Sequence, residues 1–441
     1  MASTYRQLTD TLILRTIQSE ADIARLAAFN SIVHAETGVP GPGVGVWTTD
    51  LLTPGKHPTV VWDDFLVVED TNTGEIISSL GVIPQTWTYA GAPFGMGRVE
   101  LVGTHPDYRR RGLIRTLFEA IHERCAARDL PVQSVTGIPY FYRQFGYEFA
   151  LELRRGKSIP LRTLPETPAD TPFALRAWTA DDLPNDLPRL KALYERFTRK
   201  MLVVCPRPDD HWHHRYLAQG PHSTAGQWLY IITREEAAVG YAVILGRAGG
   251  GYAFILELVL DAPYPEITPW LLPRLRDEAA ALFADAVPPL STLYFCLSGR
   301  HPIYPYLHKY SPTEHPPYAW YIRVPDLAAF IWQIRPALER RIARGPLTGL
   351  TRTLGLNFYT SGLRLTFESG KLVAAENLPH DLPPKETDAA FPPLVFLQLL
   401  FGYRSYQELK YAFPDVGSKP DARPIIEELF PRRPSWVEPL Y

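Results

Sequence analysis

Apolar residues recur at helical spacing through residues 113–124. Leu113, Leu117 and Ile121 form one stripe, with Ile114 and Phe118 beside it, which predicts an amphipathic helix. The residues before it read differently: Val99-Glu100-Leu101-Val102-Gly103-Thr104 is a strand run, and His105 to Gly112 is a polar loop holding Arg109, Arg110 and Arg111. A strand is expected again over Val132–Val135. Alternating runs at Asp64–Asp70 and Gly74–Leu80 predict a hairpin, and Trp228–Thr233 with Ala238–Ile244 predict a second one. These echo one another, as do Leu14-Arg15-Thr16-Ile17 with Leu175-Arg176-Ala177-Trp178 and Glu100-Leu101-Val102 with Glu257-Leu258-Val259. The chain therefore reads as one module given twice. From about Val324 the pattern changes. A helix is expected from Asp326 through Ile342, then a hairpin of Leu363–Phe367 and Gly370–Ala375 across Glu368-Ser369, an apolar helix over Phe391–Phe401 and a short one over Ile425–Phe430. The corresponding domains are 1–158, 159–322 and 323–441, in line with a chain too long for one core.

Composition narrows the function classes. A net charge of −2 excludes a broad nucleic-acid footprint, so the arginines of the loop are a local cluster. No apolar run approaches a membrane span, and the first residues lack the build of a signal peptide. Cys125, Cys205 and Cys296 lie far apart, which fits a cytoplasmic protein without a disulfide framework or zinc spacing. No metal is expected; His211-Trp212-His213-His214 has metal-like residues but no supporting ligand at the needed spacing, and reads as a helix surface or subdomain contact.

The loop before the helix carries the chemistry. A helix N-terminus offers unpaired N–H groups and a positive dipole end, three arginines surround it, and Gly112 permits close approach, so a phosphorylated anion is the expected ligand. The spacing is neither that of a P-loop nor GxGxxG. In the second copy the same place reads Ala262-Pro263-Tyr264-Pro265-Glu266, whose prolines remove N–H donors; this copy is expected to form one wall of the substrate cleft.

Arg109-Arg110-Arg111-Gly112-Leu113-Ile114-Arg115 resembles the coenzyme A loop of the GNAT acetyltransferases, with Ile114 in place of the usual small residue. The following Val132 to Tyr147 segment, including Tyr142-Arg143-Gln144-Phe145-Gly146-Tyr147, resembles the family's next strand and its cleft-closing element. The longer arginine string and the three-part architecture resemble the Eis-like branch. This resemblance implies a mixed α/β (α+β) chain: two GNAT-type domains with central mixed sheets flanked by helices, and a sterol-carrier-like C-terminal domain. It further implies an acyltransferase moving acetyl from acetyl-CoA directly to an amine, such as a polyamine, an aminoglycoside-like compound or another small amine. Assembly as a homo-oligomer, a trimer or hexamer, is expected by analogy.

By the same resemblance the backbone of Val102, Gly103 and Thr104 would run along the pantetheine arm. Arg109, Arg110, Arg111, Gly112, Leu113, Ile114 and Arg115 would hold the pyrophosphate, and Gly137 and Ile138 would line the other side. Tyr142 matches the general acid; Tyr140 and Tyr147 read as packing residues. Two candidates stand for the base. Glu100 shares a strand face with Val102 and Thr104 if alternation holds, although Glu257 repeats it where no cofactor loop exists. The terminal carboxylate, here Tyr441, is the base that Eis-like enzymes use. His34 and Glu36 are candidate acceptor contacts. The rival readings are a CoA-binding regulatory protein with little turnover, and an acyltransferase acting on protein lysine or carrying a longer chain.

Overall fold

The structure is a computed structural model describing residues 5–35, 41–153, 156–219 and 222–437. Its first module contains β1 (Tyr5–Gln7), β2 (Leu12–Thr16), α1 (Glu20–Val33), α2 (Pro42–Leu52), β3 (Phe65–Asp70), β4 (Glu75–Tyr89), β5 (Ala92–Thr104), α3 (Leu113–Ala127), β6 (Val132–Val135) and β7 (Glu148–Leu153). Strand neighbours are antiparallel except β5 and β6, which run parallel. The apolar stripe read from the sequence is buried as expected: Leu113, Leu117, Phe118 and Ile121 pack on one face of the sheet against Leu14, Leu66, Val82 and Val99. The opposite face is covered by Ile23, Leu26 and Phe29 of α1 and Leu51 and Leu52 of α2.

The order across this sheet is β1-β2-β3-β4-β5-β6, then Tyr318–Arg323, then β7. The inserted strand comes from the far end of the second module and is antiparallel to both neighbours. In return Lys157–Pro160, just after β7, pairs between Thr292–Phe295 and Thr313–Glu314 in the second sheet. The repeated modules thus exchange a strand, and each completes the other's sheet. The second sheet repeats the hairpin and the parallel pair, Tyr252–Leu260 beside Thr292–Phe295.

A third sheet, Lys371–Leu378, Gly362–Glu368, Arg352–Asn357, Ala389–Ala390 and Gly417–Ser418, packs with its helices against the closed end of the β4–β5 hairpin. There Tyr89 donates its hydroxyl to the Leu400 carbonyl at 2.8 Å. Three expectations in this part change. The helix expected from Asp326 is two helices, Leu327–Gln333 and Arg335–Arg344, because Pro336 cannot donate into the first and suits the start of the second. The hairpin turns at Ser369-Gly370, both with positive φ, as a tight two-residue turn demands. Phe391–Phe401 is helical only over Phe396–Leu400, since Pro392, Pro393 and left-handed Leu394 hold its first half in a turn.

Among the described residues no helix is long and apolar enough to cross a membrane, and no group of three or more His, Cys, Asp or Glu side chains could hold a metal ion. His214, from the histidine cluster, sits on the helix Asp209–Tyr216 and meets the Lys56 carbonyl of the first module at 2.9 Å.

Candidate active site

β5 and β6 pair only from Met96↔Val132 to Arg98↔Ser134. Beyond that point the two strands diverge, and their parting opens a cleft of about 1180 Å³. Every described site residue read from the sequence lines it: Glu100, Val102, Gly103, Thr104, Arg109 to Arg115, Gly137, Ile138 and Tyr142. Tyr441 and Glu36 lie outside the described residues.

The edge of the cleft on β5 is shaped by a bulge. Gly103 pairs with Ser79 and Glu100 with Gly81, so β5 holds one residue more than β4 in this interval, and Leu101 takes the left-handed conformation with φ 54°. The extra residue breaks the alternation on which Glu100, Val102 and Thr104 would share a face. Glu100 instead shares its face with Gly103, and Thr104 stands on the other, its hydroxyl 2.7 Å from that of Ser78. A Cβ on Gly103 would meet Val33 at 2.8 Å and His34 Nε2 at 3.4 Å, so only glycine lets α1 approach this closely.

At the far end, Gly112 caps α3 with φ 77°, and apart from its own neighbours in the chain no described atom lies within 4 Å of where its Cβ would sit. Positive φ and open space together form a cradle that a side chain would fill. The first-turn N–H groups of Leu113, Ile114 and Arg115 are the donors a helix leaves unpaired. The loop is braced from behind: Tyr108 donates to Asp70 at 2.8 Å, Arg111 lies over the Tyr108 ring and donates to the Asp107 carbonyl at 3.1 Å, and Arg109 reaches the Thr104 carbonyl at 3.4 Å. Arg115 donates to Gln144 at 3.1 Å. This cradle fits a diphosphate.

Tyr142 is buried among Phe118, Phe141, Tyr147 and Tyr321. Its hydroxyl oxygen points toward Gly137, 3.7 Å from where a Cβ on that residue would sit. Burial first, and then the nearby Glu100 carboxylate, push its phenol well above the ordinary tyrosine range, so it holds its proton across the working pH range. Tyr147 is fully buried as expected, whereas Tyr140, read as a packing residue, is 69% exposed with a positive φ; it leads the turn into Phe141–Phe145, meets Phe149 edge-on and has the Arg143 guanidinium over its ring.

Glu100 is buried and accepts a hydrogen bond from Arg98 Nε at 2.6 Å. Burial raises its carboxyl above the usual range and Arg98 opposes the rise. Its counterpart Glu257 is fully buried and pairs with Arg207 and Arg215, with Tyr241 donating at 3.2 Å; the second copy has turned this position into a charge network within its core. His34 lines the cleft with Nε2 shielded from solvent and without a hydrogen-bond partner among the described residues, and burial lowers its pKa.

Sequence reading missed the strand Tyr318–Arg323. Tyr318 donates its hydroxyl to the Gly137 carbonyl at 2.9 Å and Tyr321 to the Ile138 carbonyl at 3.3 Å. These bonds turn the two carbonyls toward the inserted strand and fix the cleft's second edge. No local motif marks them, because 181 residues separate Tyr318 from Gly137. Tyr318→Phe is expected to cost about 0.5–1.5 kcal/mol of this edge's order, as one lost hydrogen bond does, and, on the expectation of a CoA ligand, to weaken its binding a few-fold with little change in stability. A titration of CoA binding followed calorimetrically checks it. The second module also adds Thr224, Ala225 and Arg247 to the lining, which makes it a wall of the cleft as expected.

Residues 46–150, which hold the bulged strand, the arginine loop and Tyr142, match the acetyltransferase (GNAT) domain family. Solved structures share the fold along nearly the whole chain. A GCN5-related N-acetyltransferase from Anabaena variabilis is 15% identical with a TM-score of 0.65, covering 97% of this chain and 99% of its own. Eis1 from Mycobacterium abscessus is 19% identical with a TM-score of 0.58, covering 96% and 98%. Saccharomyces cerevisiae N-myristoyltransferase with bound myristoyl-CoA is 13% identical with a TM-score of 0.52, covering 73% and 84%. No curated protein matches the sequence. The chain is an acyltransferase whose residues 46–150 match an acetyltransferase (GNAT) domain, on a mixed α/β fold.

Proposed function

We propose that the protein is an N-acetyltransferase that moves acetyl from acetyl-CoA directly to a small-molecule amine while both substrates are bound. One observation carries this reading: a single cleft between diverging parallel strands holds the phosphate cradle at Gly112 and, further in, the protonated Tyr142 hydroxyl. The arginine loop and the α3 N-terminus would hold the substrate's diphosphate by charge-assisted hydrogen bonds. Backbone along Val102–Thr104 and Gly137–Ile138 would align its arm. The amine nitrogen attacks the thioester carbonyl, the carbon–sulfur bond breaks, and Tyr142 gives its proton to the departing sulfur. The proton lost by the amine goes to a carboxylate, Glu100 or the chain terminus at Tyr441. The Arg98 bond to Glu100 favours a holding role for that side chain. Direct transfer is supported by the cysteines: Cys125, Cys205 and Cys296 are all buried, none lines the cleft, and burial pushes the Cys125 thiol up to about 12. We further propose that the third module, with its mixed sheet and covering helices, is the sterol-carrier-like domain of the Eis-like architecture.

The test is release of free CoA thiol from acetyl-CoA against a panel of amines, with both substrate concentrations varied. Intersecting initial-rate lines are expected for a ternary complex. Parallel lines, or an acetylated protein isolated without acceptor, would overturn direct transfer. Tight acetyl-CoA binding with no turnover of any amine would replace the enzyme reading with a CoA-responsive binding protein.

A further inference from the structure

The second module brings one cation to the cleft that the phosphate cradle does not account for. Arg109, Arg110, Arg111 and Arg115 cluster at the start of α3, where a diphosphate would engage them. Arg247 arrives instead from the loop after Ala237–Leu245, together with Thr224 and Ala225. Its backbone is held in place. Gly246 N–H donates to the Gly226 carbonyl at 2.7 Å, Gly226 N–H to the Ser223 carbonyl at 3.0 Å, and Thr224 N–H to the Gly43 carbonyl at 3.1 Å. A Cβ on Gly43 would meet the His222 carbonyl oxygen at 2.7 Å, so α2 and this loop are in close contact. The Arg247 side chain is exposed to the cleft and makes no hydrogen bond or ion pair with a described residue.

The anionic side of the balance is nearly empty among the described lining residues. Among the described lining residues Glu100 is the sole carboxylate, and it is buried against Arg98. His34 adds no negative charge. A polycationic acceptor would therefore bring its second ammonium against arginines, with no free carboxylate among the described lining residues to receive it.

We infer that the acceptor is an amine that also carries a carboxylate, and that Arg247 receives this carboxylate as a specificity-determining residue. This rests on the reading of the cleft as an acetyl-transfer site. The guanidinium fork matches a carboxylate in two parallel hydrogen bonds. It would hold the acceptor by its acidic end, leaving the amino group free to approach the cleft between Tyr142 and β5.

The experiment compares matched acceptors with acetyl-CoA: free amino acids, the same amino acids as carboxamides, and a linear tetraamine. Each is measured with wild type, Arg247→Gln, Arg247→Lys and Tyr142→Phe. Wild type is expected to favour the carboxylates through a lower KM. Arg247→Gln raises that KM about 10- to 100-fold, the loss of a charge-assisted bond expressed as affinity, with kcat held and carboxamide turnover unchanged. Arg247→Lys retains part of the preference. Because Arg247 is exposed, these variants keep the fold. Turnover of carboxamides or the tetraamine as good as that of carboxylates, or an unchanged KM in Arg247→Gln, overturns the inference. If that happens while Tyr142→Phe still abolishes turnover, the transfer reading stands alone. If no acceptor of any class releases thiol, both fall.

Discussion

Tyr142→Phe is expected to lower kcat by about 10²- to 10⁴-fold, the range for losing a positioned general acid, while acetyl-CoA binds as before. The substitution removes one oxygen and keeps the ring that packs among Phe118, Phe141 and Tyr321, so the aromatic cluster and the cleft's floor persist. The Tyr142 hydroxyl donates to no described residue, so its deletion leaves no described acceptor unsatisfied. The loss falls on the chemical step. Burial and Glu100 hold the phenol above its ordinary range, so wild type should show no loss of rate from tyrosine deprotonation up to the alkaline end of a usable profile. Single-turnover rates, with acetyl-CoA affinity measured separately, check this. A loss confined to affinity, with kcat intact, would make Tyr142 a packing residue.

Arg98→Met is expected to destabilise the protein by about 3–5 kcal/mol at pH 7, because it leaves a buried carboxylate without its partner. Arg98 and Glu100 are both buried, and Arg98 also lies over the Trp320 ring at 5.7 Å. Methionine keeps much of the stem's apolar contact, so the lost ion pair dominates. The pH dependence has a definite sign. Glu100 already titrates above its ordinary value in the folded state, and removing Arg98 raises it further. A carboxylate raised on folding penalises the native state above its unfolded pKa and ceases to do so once protonated. The gap between Arg98→Met and wild type should therefore narrow as the pH falls from 7 toward 5. Arg98→Met combined with Glu100→Gln should recover much of the loss, since no charge then remains buried. Denaturant midpoints across that pH range decide it. A gap independent of pH would assign the cost to packing on Trp320.

The loop proposed to hold phosphate was legible in the sequence because all of its parts are consecutive. Gly112, the arginines and the first turn of α3 lie within one loop and helix, and the apolar stripe of Leu113, Leu117 and Ile121 dictates which side of that helix faces the core. Tyr142 was legible for a related reason: the strand, turn and glycine around it form a local pattern. Glu100 was named correctly as a cleft residue, but its face was not, since the bulge at Leu101 adds one residue to β5 and reverses what strict alternation predicts. The expected apolar helix over Phe391–Phe401 shows the same limit in the third module. Hydrophobicity placed those residues in the core, and the backbone restrictions of Pro392 and Pro393 decided their conformation.

By itself the sequence picked out the repeated hairpins, the arginine–glycine loop before α3 in the first copy, its absence from the second, and Tyr142 as a residue of the cleft. These depend on periodicity, on glycine and proline, and on donors a few residues apart. Only the tertiary structure decided which strand completes which sheet, and so brought Tyr318 and Tyr321 to the Gly137–Ile138 edge. It also decided that Arg98, set over the Trp320 ring, would hold Glu100, and that Arg247 would stand in a cleft formed mostly by the first copy. The physical reason is range: a helix cap acts over one turn, whereas a strand exchange is selected by the burial of two whole sheets at once.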